Sequence, residues 1–460
     1  MPSTRRDFLH TCSALTGAAI LSSSGQTDVP AAAADDAVSA DGAISVNDAV
    51  SANAAAQNAQ TEVGAPYAGW KEGEMDLHFI LTGVGESMFH IYPDGTTLLL
   101  DAPDWNIERY PDRTPALPDT SRIASEWIMR YLTRVNPGGR SIDYMMLSHY
   151  HNDHAGCAEV HAGKTQGRGE DYFLSGLANI GEHFKFTKVF DRGFPAYDQP
   201  KAIQSDGFVN FVRFTKYMTK AGRFAMEELE VGRQDQLALC RTPEKFPNFH
   251  TRTICRNGVV WTGKEMETRN FYAENEKNTK GHINENTLSI GFLIEYGPFR
   301  YFTGGDLSCS VYTTDDERIN LEAYVGSVIG KLDVCKTNHH AYKDSMDPGF
   351  TNAVQAKVYV SNVWDLHHLQ DNTMTNMTSA AENVLVCPTI CHARALEKYR
   401  GCAWMKNLAP EAHDGGHVVV KVFDEGRQYK VYYLTAKDES MTVRQVYGPF
   451  RSRNAGEEIS

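Results

Sequence analysis

Several things are scarce in this sequence, and each scarcity narrows what the chain does. None of the nine cysteines pairs with another as Cys-x-x-Cys, which rules against a cysteine-based zinc knuckle. Positive charge is in deficit. Lys and Arg number 45 against 58 Asp and Glu, a formal net charge of −13 that opposes a phosphate backbone unless a local basic groove offsets it. A dedicated nucleic-acid-binding role is therefore disfavoured. A long apolar run is also missing: the stretch from Leu9 to about Leu21 is too short, and too rich in Ala, Ser, Thr and Gly, to span a bilayer stably. From about Ser23 to Gln60 aromatics are absent and Ala, Ser, Asp, Asn and Gln dominate. Such a segment cannot bury enough surface to order itself, and it reads as a flexible spacer.

What is present has an ordinary globular balance, 42% hydrophobic and 22% charged over 460 residues, enough for one large domain or two small ones. Arg5-Arg6 ahead of Asp7-Phe8-Leu9 and a mildly apolar stretch looks like a twin-arginine export signal. The expected organisation is an export signal over 1–26, a spacer over 27–66, a catalytic domain over 67–450 and a flexible tail over 451–460. Within the domain, a large insertion over about 161–280 is expected, part of it capping the site. Cys12 falls in the signal and no lipid anchor is expected there. Cys240 and Cys255 are candidates for a disulfide in an oxidising compartment, with buried free thiols as the alternative.

The informative stretch is SIDYMMLSHYHNDHAG, Ser141–Gly156. Met145, Met146 and Leu147 read as a short buried strand, and Ala155-Gly156 opens a helical pattern. His149, His151, Asp153 and His154 therefore sit on a strand-to-helix turn, which aims several side chains into one small volume. On an extended backbone His149 and His151 leave the same face, and Asp153-His154 curl back as the chain turns. Imidazoles and a carboxylate together suit Zn²⁺ or a similar divalent ion. An exposed polar loop is the competing reading, but ligand-type residues this dense after a buried strand argue against it.

This run resembles the HxHxDH signature of the metallo-β-lactamase superfamily. The resemblance implies an α/β chain folded as a four-layer αββα sandwich, one or two bound metals, and hydrolysis of an ester, amide or phosphodiester. Asp101, at the end of the apolar Leu98–Leu100, matches the acid that supports the metal centre from behind. Gly83-Val84-Gly85-Glu86-Ser87 resembles, with substitutions, the DVGQGDS turn of the branch containing the ComEC-type competence protein. Further on, TKGHINENTLSIGFLIEYGPFRYFTGGDLS repeats the plan of strand, tight turn, strand and acid. Asp306 there fits the carboxylate that bridges two metals. His282 fits the histidine preceding it by one hairpin, while Asn286 and Ser289 match an Asn-x-x-Ser at the same place in the competence-like branch. LDVCKTNHH then echoes IDYMMLSHY, as two similar αβ halves require.

His339-His340 resembles the competence-like VGHHGS motif. Consecutive side chains at a strand end point to opposite sides, so one histidine is expected to bind metal, taken as His339, and the other, His340, to face substrate. His368 in DLHHLQDNTM is the closest match to a further histidine of that branch. His417, in the final alternating hairpin, reads as structural. The helix expected over 207–222 carries an aromatic stripe at Phe208, Phe211, Phe214 and Tyr217 that suits core packing.

The expected metal ligands are therefore His149, His151, Asp153, His154, His282, Asp306 and His339, and the expected catalytic groups are Asp153, His340 and His368. The expected cofactors are two divalent ions, Zn²⁺ first, with Mn²⁺ or Fe²⁺ as substitutes, holding a hydroxide between them as nucleophile. The expected function is an exported hydrolase, periplasmic or extracellular, of phosphodiester or related ester bonds in small or envelope-derived substrates. The alternatives are a lactonase or β-lactamase-like hydrolase, a nuclease of DNA uptake, and a non-catalytic metal-binding envelope protein. The twin-arginine export machinery is the expected protein partner. Replacing Arg5 and Arg6 with Lys should hold the precursor in the cytoplasm, as read by cell fractionation; normal export of that variant refutes the signal.

Overall fold

The computed structural model describes residues 62–104, 112–157, 165–169, 171–272, 284–312 and 318–455. The expected export signal, nearly all of the expected spacer, His282 and residues 456–460 lie outside the described residues.

The chain begins with β1 (Met75–Phe79), β2 (Met88–Ile91) and β3 (Thr97–Leu100). Pro93-Asp94-Gly95 turns β2 into β3, with Gly95 at a φ of 84° that suits glycine. Next come α1 (Ala124–Val135), β4 (Ser141–Leu147), the single turn α2 (Asn152–Ala155), α3 (Gly176–His183), β5 (Lys185–Asp191), α4 (Asp206–Lys220) and β6 (Ala225–Met226). β7 (Phe249–Arg256), β8 (Val259–Trp261) and β9 (Thr268–Asn270) precede β10 (Gly291–Tyr296) and β11 (Phe299–Thr303). A small ribbon of β12 (Ser310–Tyr312) and β13 (Arg318–Asn320) leads to α5 (Leu321–Ile329) and β14 (Val334–Lys336). Then follow α6 (Pro348–Val354), β15 (Val358–Ser361), α7 (Asp371–Ser379), β16 (Leu385–Pro388), α8 (Ala393–Tyr399), β17 (His417–Phe423), β18 (Gln428–Leu434) and β19 (Val443–Arg451).

Two mixed sheets result. One runs β19-β18-β17-β1-β2-β3-β4-β5-β6 and the other β16-β15-β14-β11-β10-β7-β8-β9. In each, a hairpin is followed by a parallel strand: β2-β3 with β4 beside β3, and β10-β11 with β14 beside β11. The echo between IDYMMLSHY and LDVCKTNHH is thus an echo of topology.

Period-two alternation decides the layers. Leu98, Leu100, Tyr144 and Met146 face inward, where they meet Phe292, Ile294, Tyr301, Val334 and Val358 of the second sheet. Leu99, Met145 and Leu147 face outward against Ile128 and Leu132 of α1, Leu177 and Ile180 of α3, and Phe208, Phe211 and Phe214 of α4. On the far side, Leu293, Phe302, Cys335 and Tyr359 pack against Val325 and Ile329 of α5, Phe350 of α6 and Met374 and Met377 of α7. The molecule is a four-layer αββα sandwich.

The described part of the expected insertion extends the two sheets. It adds β5 and β6 to one end of the first sheet and β7, β8 and β9 to one end of the second, because Val189, Ile254 and Val260 bury on sheet faces. The start of the expected flexible tail is tied down too. Ser452 is buried, and Arg453 N donates to Asp333 Oδ1 at 2.9 Å. Pro66, at the end of the expected spacer, bridges to Thr442. Cys255 is buried and Cys240 exposed, and no disulfide joins them. His417 is buried in β17 and accepts from Leu81 N through Nδ1 at 3.1 Å, in keeping with a structural role. Among the described residues no helix is long and apolar enough to cross a membrane.

The Gly83–Ser87 turn between β1 and β2 presses against the metal-type loop of β4. Gly85 has a φ of 64°, and a Cβ there would lie 2.1 Å from Asp153 O, while Glu86 N donates to that same carbonyl at 2.9 Å. Only glycine fits. Gly85→Ala should therefore destabilise the fold by about 1–3 kcal/mol through forced overpacking. Urea unfolding reads this, and an unchanged midpoint would show that the turn has slack.

Candidate metal centre

Neighbouring strands of the two sheets end at one place, in keeping with the rule that open α/β sheets bind ligands beyond the carboxyl ends of their strands. From β3 comes Asp101, from β4 His149, His151, Asp153 and His154, from β11 Asp306, from β14 His339 and His340, and from β15 Asn362 and His368. The Gly304-Gly305 turn that presents Asp306 is close-packed. A Cβ on Gly304 would sit 2.6 Å from Asn338 Oδ1, and one on Gly305 3.0 Å from Ser148 Cβ.

Asp306 Oδ2 is the hub. It lies 3.1 Å from His154 Nε2, 3.4 Å from His340 Nε2, 3.7 Å from His149 Nε2 and 3.9 Å from His339 Nε2. Two sets of ligand atoms share Asp306. One comprises Asp153, His154, Asp306 and His340, all buried; the other comprises His149, His151 and Asp306. In the first set, Asp153 Oδ2 is 3.7 Å from His154 Nε2 and 3.4 Å from His340 Nε2. In the second, His149 Nε2 and His151 Nδ1 are 3.1 Å apart. Donors around one tetrahedral Zn²⁺, each about 2.0–2.1 Å from the ion, stand roughly 3.3 Å from one another. The spacings fit.

The surrounding hydrogen bonds turn the right nitrogens inward. His154 Nδ1 donates to Asp101 Oδ2 at 2.8 Å, and Asp101 also accepts from Ser148 N at 2.7 Å and Ser148 Oγ at 2.6 Å. His340 Nδ1 donates to Asn362 O at 2.7 Å. The Nε2 atoms of both histidines are left buried with no hydrogen-bond partner. Such orphaned atoms are costly unless something positive lies between them and the carboxylates. Burial alone would drive His340 down, but the charge of Asp306 and the close approach of the Asp153 and Asp306 carboxylates raise it to about 9. His154 is likewise lowered by burial yet carried well above the ordinary range by Asp306, Asp153 and Asp101. Asp306 would rise on burial, but His154, His340 and His339 hold it well below the usual carboxylate range. Burial and then the His154 charge push His149 far down, which leaves it neutral as a ligand must be. Protons and metal ions thus compete for one buried negative cluster.

The structure divides the histidine pair oppositely to the alternation rule. His340 is fully buried inside the first ligand set, whereas the His339 side chain is 18% exposed at the rim. There His339 Nδ1 donates to Asp344 Oδ1 at 2.6 Å and Nε2 faces Asn286 Nδ2 at 3.1 Å. The physical reason is backbone: His339 and His340 have φ of 43° and 50°, so the strand has already ended and side chains no longer alternate. His368 is buried and stacks on His340, with ring centroids 4.6 Å apart and planes 14° apart. Its Nδ1 accepts from Trp364 N at 3.3 Å, so Nε2 carries the proton. Burial and the neighbouring His340 hold His368 well below its usual range, hence neutral.

Sequence reasoning missed the support behind these residues. Arg192, fully buried, donates through Nε and Nη2 to Glu285 at 2.6 and 2.7 Å, and Glu285 Oε1 accepts from Tyr150 N, between His149 and His151, at 3.0 Å. The first half's loop is thereby pinned by the second half. Lys336 and Glu86 form a second buried pair at 2.7 Å. The available signal was a charged residue ending an apolar strand, as in VFDR and DVCK.

No protein-family model matches the sequence, and no curated protein matches it. Among solved structures, a chain from Parabacteroides distasonis, provisionally named a metal-dependent hydrolase, is 11% identical over 68% of this chain and 91% of its own, with a TM-score of 0.30. A variant of CmlA beta-hydroxylase is 12% identical over 62% of this chain and 45% of its own, at 0.31. A protein of unknown function from Enterococcus faecalis is 10% identical over 57% of this chain and 49% of its own, at 0.22. Likenesses this distant leave the reading of the site to its own geometry.

The raised His340 fixes the sign of a pH effect. Its folded-state value of about 9 lies above the ordinary 6.5, so the stability its proton supplies is full below pH 6.5 and is lost as pH rises through 9. Chelator-treated protein should therefore lose thermal stability across that window, while metal affinity should rise because each ion displaces protons. Calorimetric titration in buffers of differing ionisation enthalpy should show proton release at pH 7. Affinity that falls with pH contradicts the competition.

Proposed function

We propose that this protein is a metal-dependent hydrolase acting on a phosphodiester or related ester, with two divalent ions in the site. One observation carries the reading: a single carboxylate oxygen, Asp306 Oδ2, is shared by two adjoining sets of ligand atoms. Asp153, His154, Asp306 and His340 would hold one ion and His149, His151 and Asp306 the other. Nitrogen and oxygen donors without cysteine suit Zn²⁺, Mn²⁺ or Fe²⁺. Bound there, the ions would supply Lewis acidity and ease deprotonation of a water molecule.

The chain's own groups do the rest. Among the described residues the second set offers fewer protein ligands than the first, which leaves positions for water, substrate or the expected ligand His282. His368, neutral and with its proton on Nε2, is built to donate a hydrogen bond to a leaving oxygen or a phosphoryl oxygen. His339 stands at the rim with Asp344 on Nδ1, an arrangement that orients an imidazole for proton transfer. The substrate class rests on the resemblance to the competence-like branch, and a place outside the cytoplasm rests on Arg5-Arg6.

On this reading His340→Ala should lose metal and activity together. His339→Ala should keep its metal and lose kcat by about 10²–10⁴-fold, the usual contribution of a positioned acid or base. Elemental analysis and steady-state kinetics read both, and exchanged phenotypes would return the ligand role to His339. Reconstituted protein should prefer bis(p-nitrophenyl) phosphate over an acyl-lactone and nitrocefin. Preference for either of the latter replaces the substrate class, and inertness toward all three removes the hydrolase reading.

A further inference from the structure

Lys336 closes β14, and sheet alternation puts it on the same face as Val334, toward the first sheet. The group it meets there is Glu86, from the turn between β1 and β2. Lys336 Nζ lies 2.7 Å from Glu86 Oε2, donates to Gly305 O at 2.6 Å, and stands 3.8 Å from Asp306 Oδ1. All three side chains are buried, Lys336 and Glu86 completely. Burying an ammonium is costly, and an ion pair alone seldom stabilises more than well-packed apolar residues of the same volume would. A fixed cation here therefore calls for an explanation other than packing.

The two oxygens of Asp306 divide its surroundings. Oδ2 faces the imidazoles, while Oδ1 has no hydrogen-bond partner and faces Lys336 across 3.8 Å. We infer that Lys336, steadied by Glu86, is a positioning residue that holds Asp306 so that one oxygen, Oδ2, serves both ligand sets. It acts in two ways. Its hydrogen bond to Gly305 O anchors the glycine turn that presents Asp306, and its charge attracts Oδ1, opposing a rotation that would give one oxygen to each ion. The inference rests on the two-ion reading above and adds residues that touch no ion.

The test uses the full protein loaded with Mn²⁺, because two ions sharing one oxygen are magnetically coupled and give an electron paramagnetic resonance spectrum unlike that of isolated Mn²⁺. Lys336→Met alone would strand a buried Glu86 and risk misfolding. The paired variant Glu86→Gln/Lys336→Met removes both charges at nearly constant volume, and Glu86→Gln alone keeps the Lys336 bond to Gly305. Wild type and Glu86→Gln should bind two coupled ions. The paired variant should fold, keep its first ion, and bind the second at least about tenfold more weakly and without coupling. Two coupled ions at wild-type affinity in the paired variant overturn the inference. So does failure of the paired variant to fold beside a folded Glu86→Gln, or equal loss of coupling in both variants, since each makes the pair a structural one. Wild type with fewer than two coupled ions instead overturns the two-ion reading itself.

Discussion

Everything at this site depends on concentrated negative charge in a place water hardly reaches. Asp101, Asp153, Asp306 and Glu86 are buried together where the two sheets meet. Burial alone would protonate such carboxylates. The charges of His154 and His340 hold Asp153 and Asp306 below their ordinary range against that burial, and divalent ions could take the place of those imidazole protons. The hydrogen bonds that His154 and His340 donate to Asp101 and Asn362 O add modestly to stability; they decide which ring nitrogen of each histidine faces the cluster.

The layers were legible because alternation is a local property. Leu98 and Leu100 against Leu99, or Tyr144 and Met146 against Met145, state which side is inside without knowledge of any partner. The recurrence of a strand, a glycine turn and an acid in both halves made the second half readable from the first, and it pointed to Asp306, which lies just past the end of β11. The 161–280 segment was harder. The place of its strands at the sheet ends is set by neighbours far away in sequence, which no local pattern records.

The placement of His339 and His340, the reverse of the expected one, is instructive for the same reason. Alternation was applied past the point where the strand stops, and nothing in NHHAY announces the left-handed backbone at His339, His340 and Ala341. The buried supports were hidden differently. Arg192 and Lys336 look in sequence like ordinary charges flanking strands, and only the approach of Glu285 and Glu86 from the other half makes either tolerable. Groups whose meaning lies in a distant partner are not written in local pattern.

The division of ligands between the halves has a consequence for how the molecule comes together. His149, His151, Asp153 and His154 belong to the first half, Asp306 and His340 to the second, and among the described residues both sets that share Asp306 draw on the two halves. A bound ion is therefore a cross-link between regions more than a hundred residues apart, available only after the sheets have closed on each other. Ions that bind the assembled state and not its separated halves draw the population toward closure by mass action, by RT ln(1 + [M]/Kd) for each site. Metal supply would then govern how long a freshly made chain stays open to proteases.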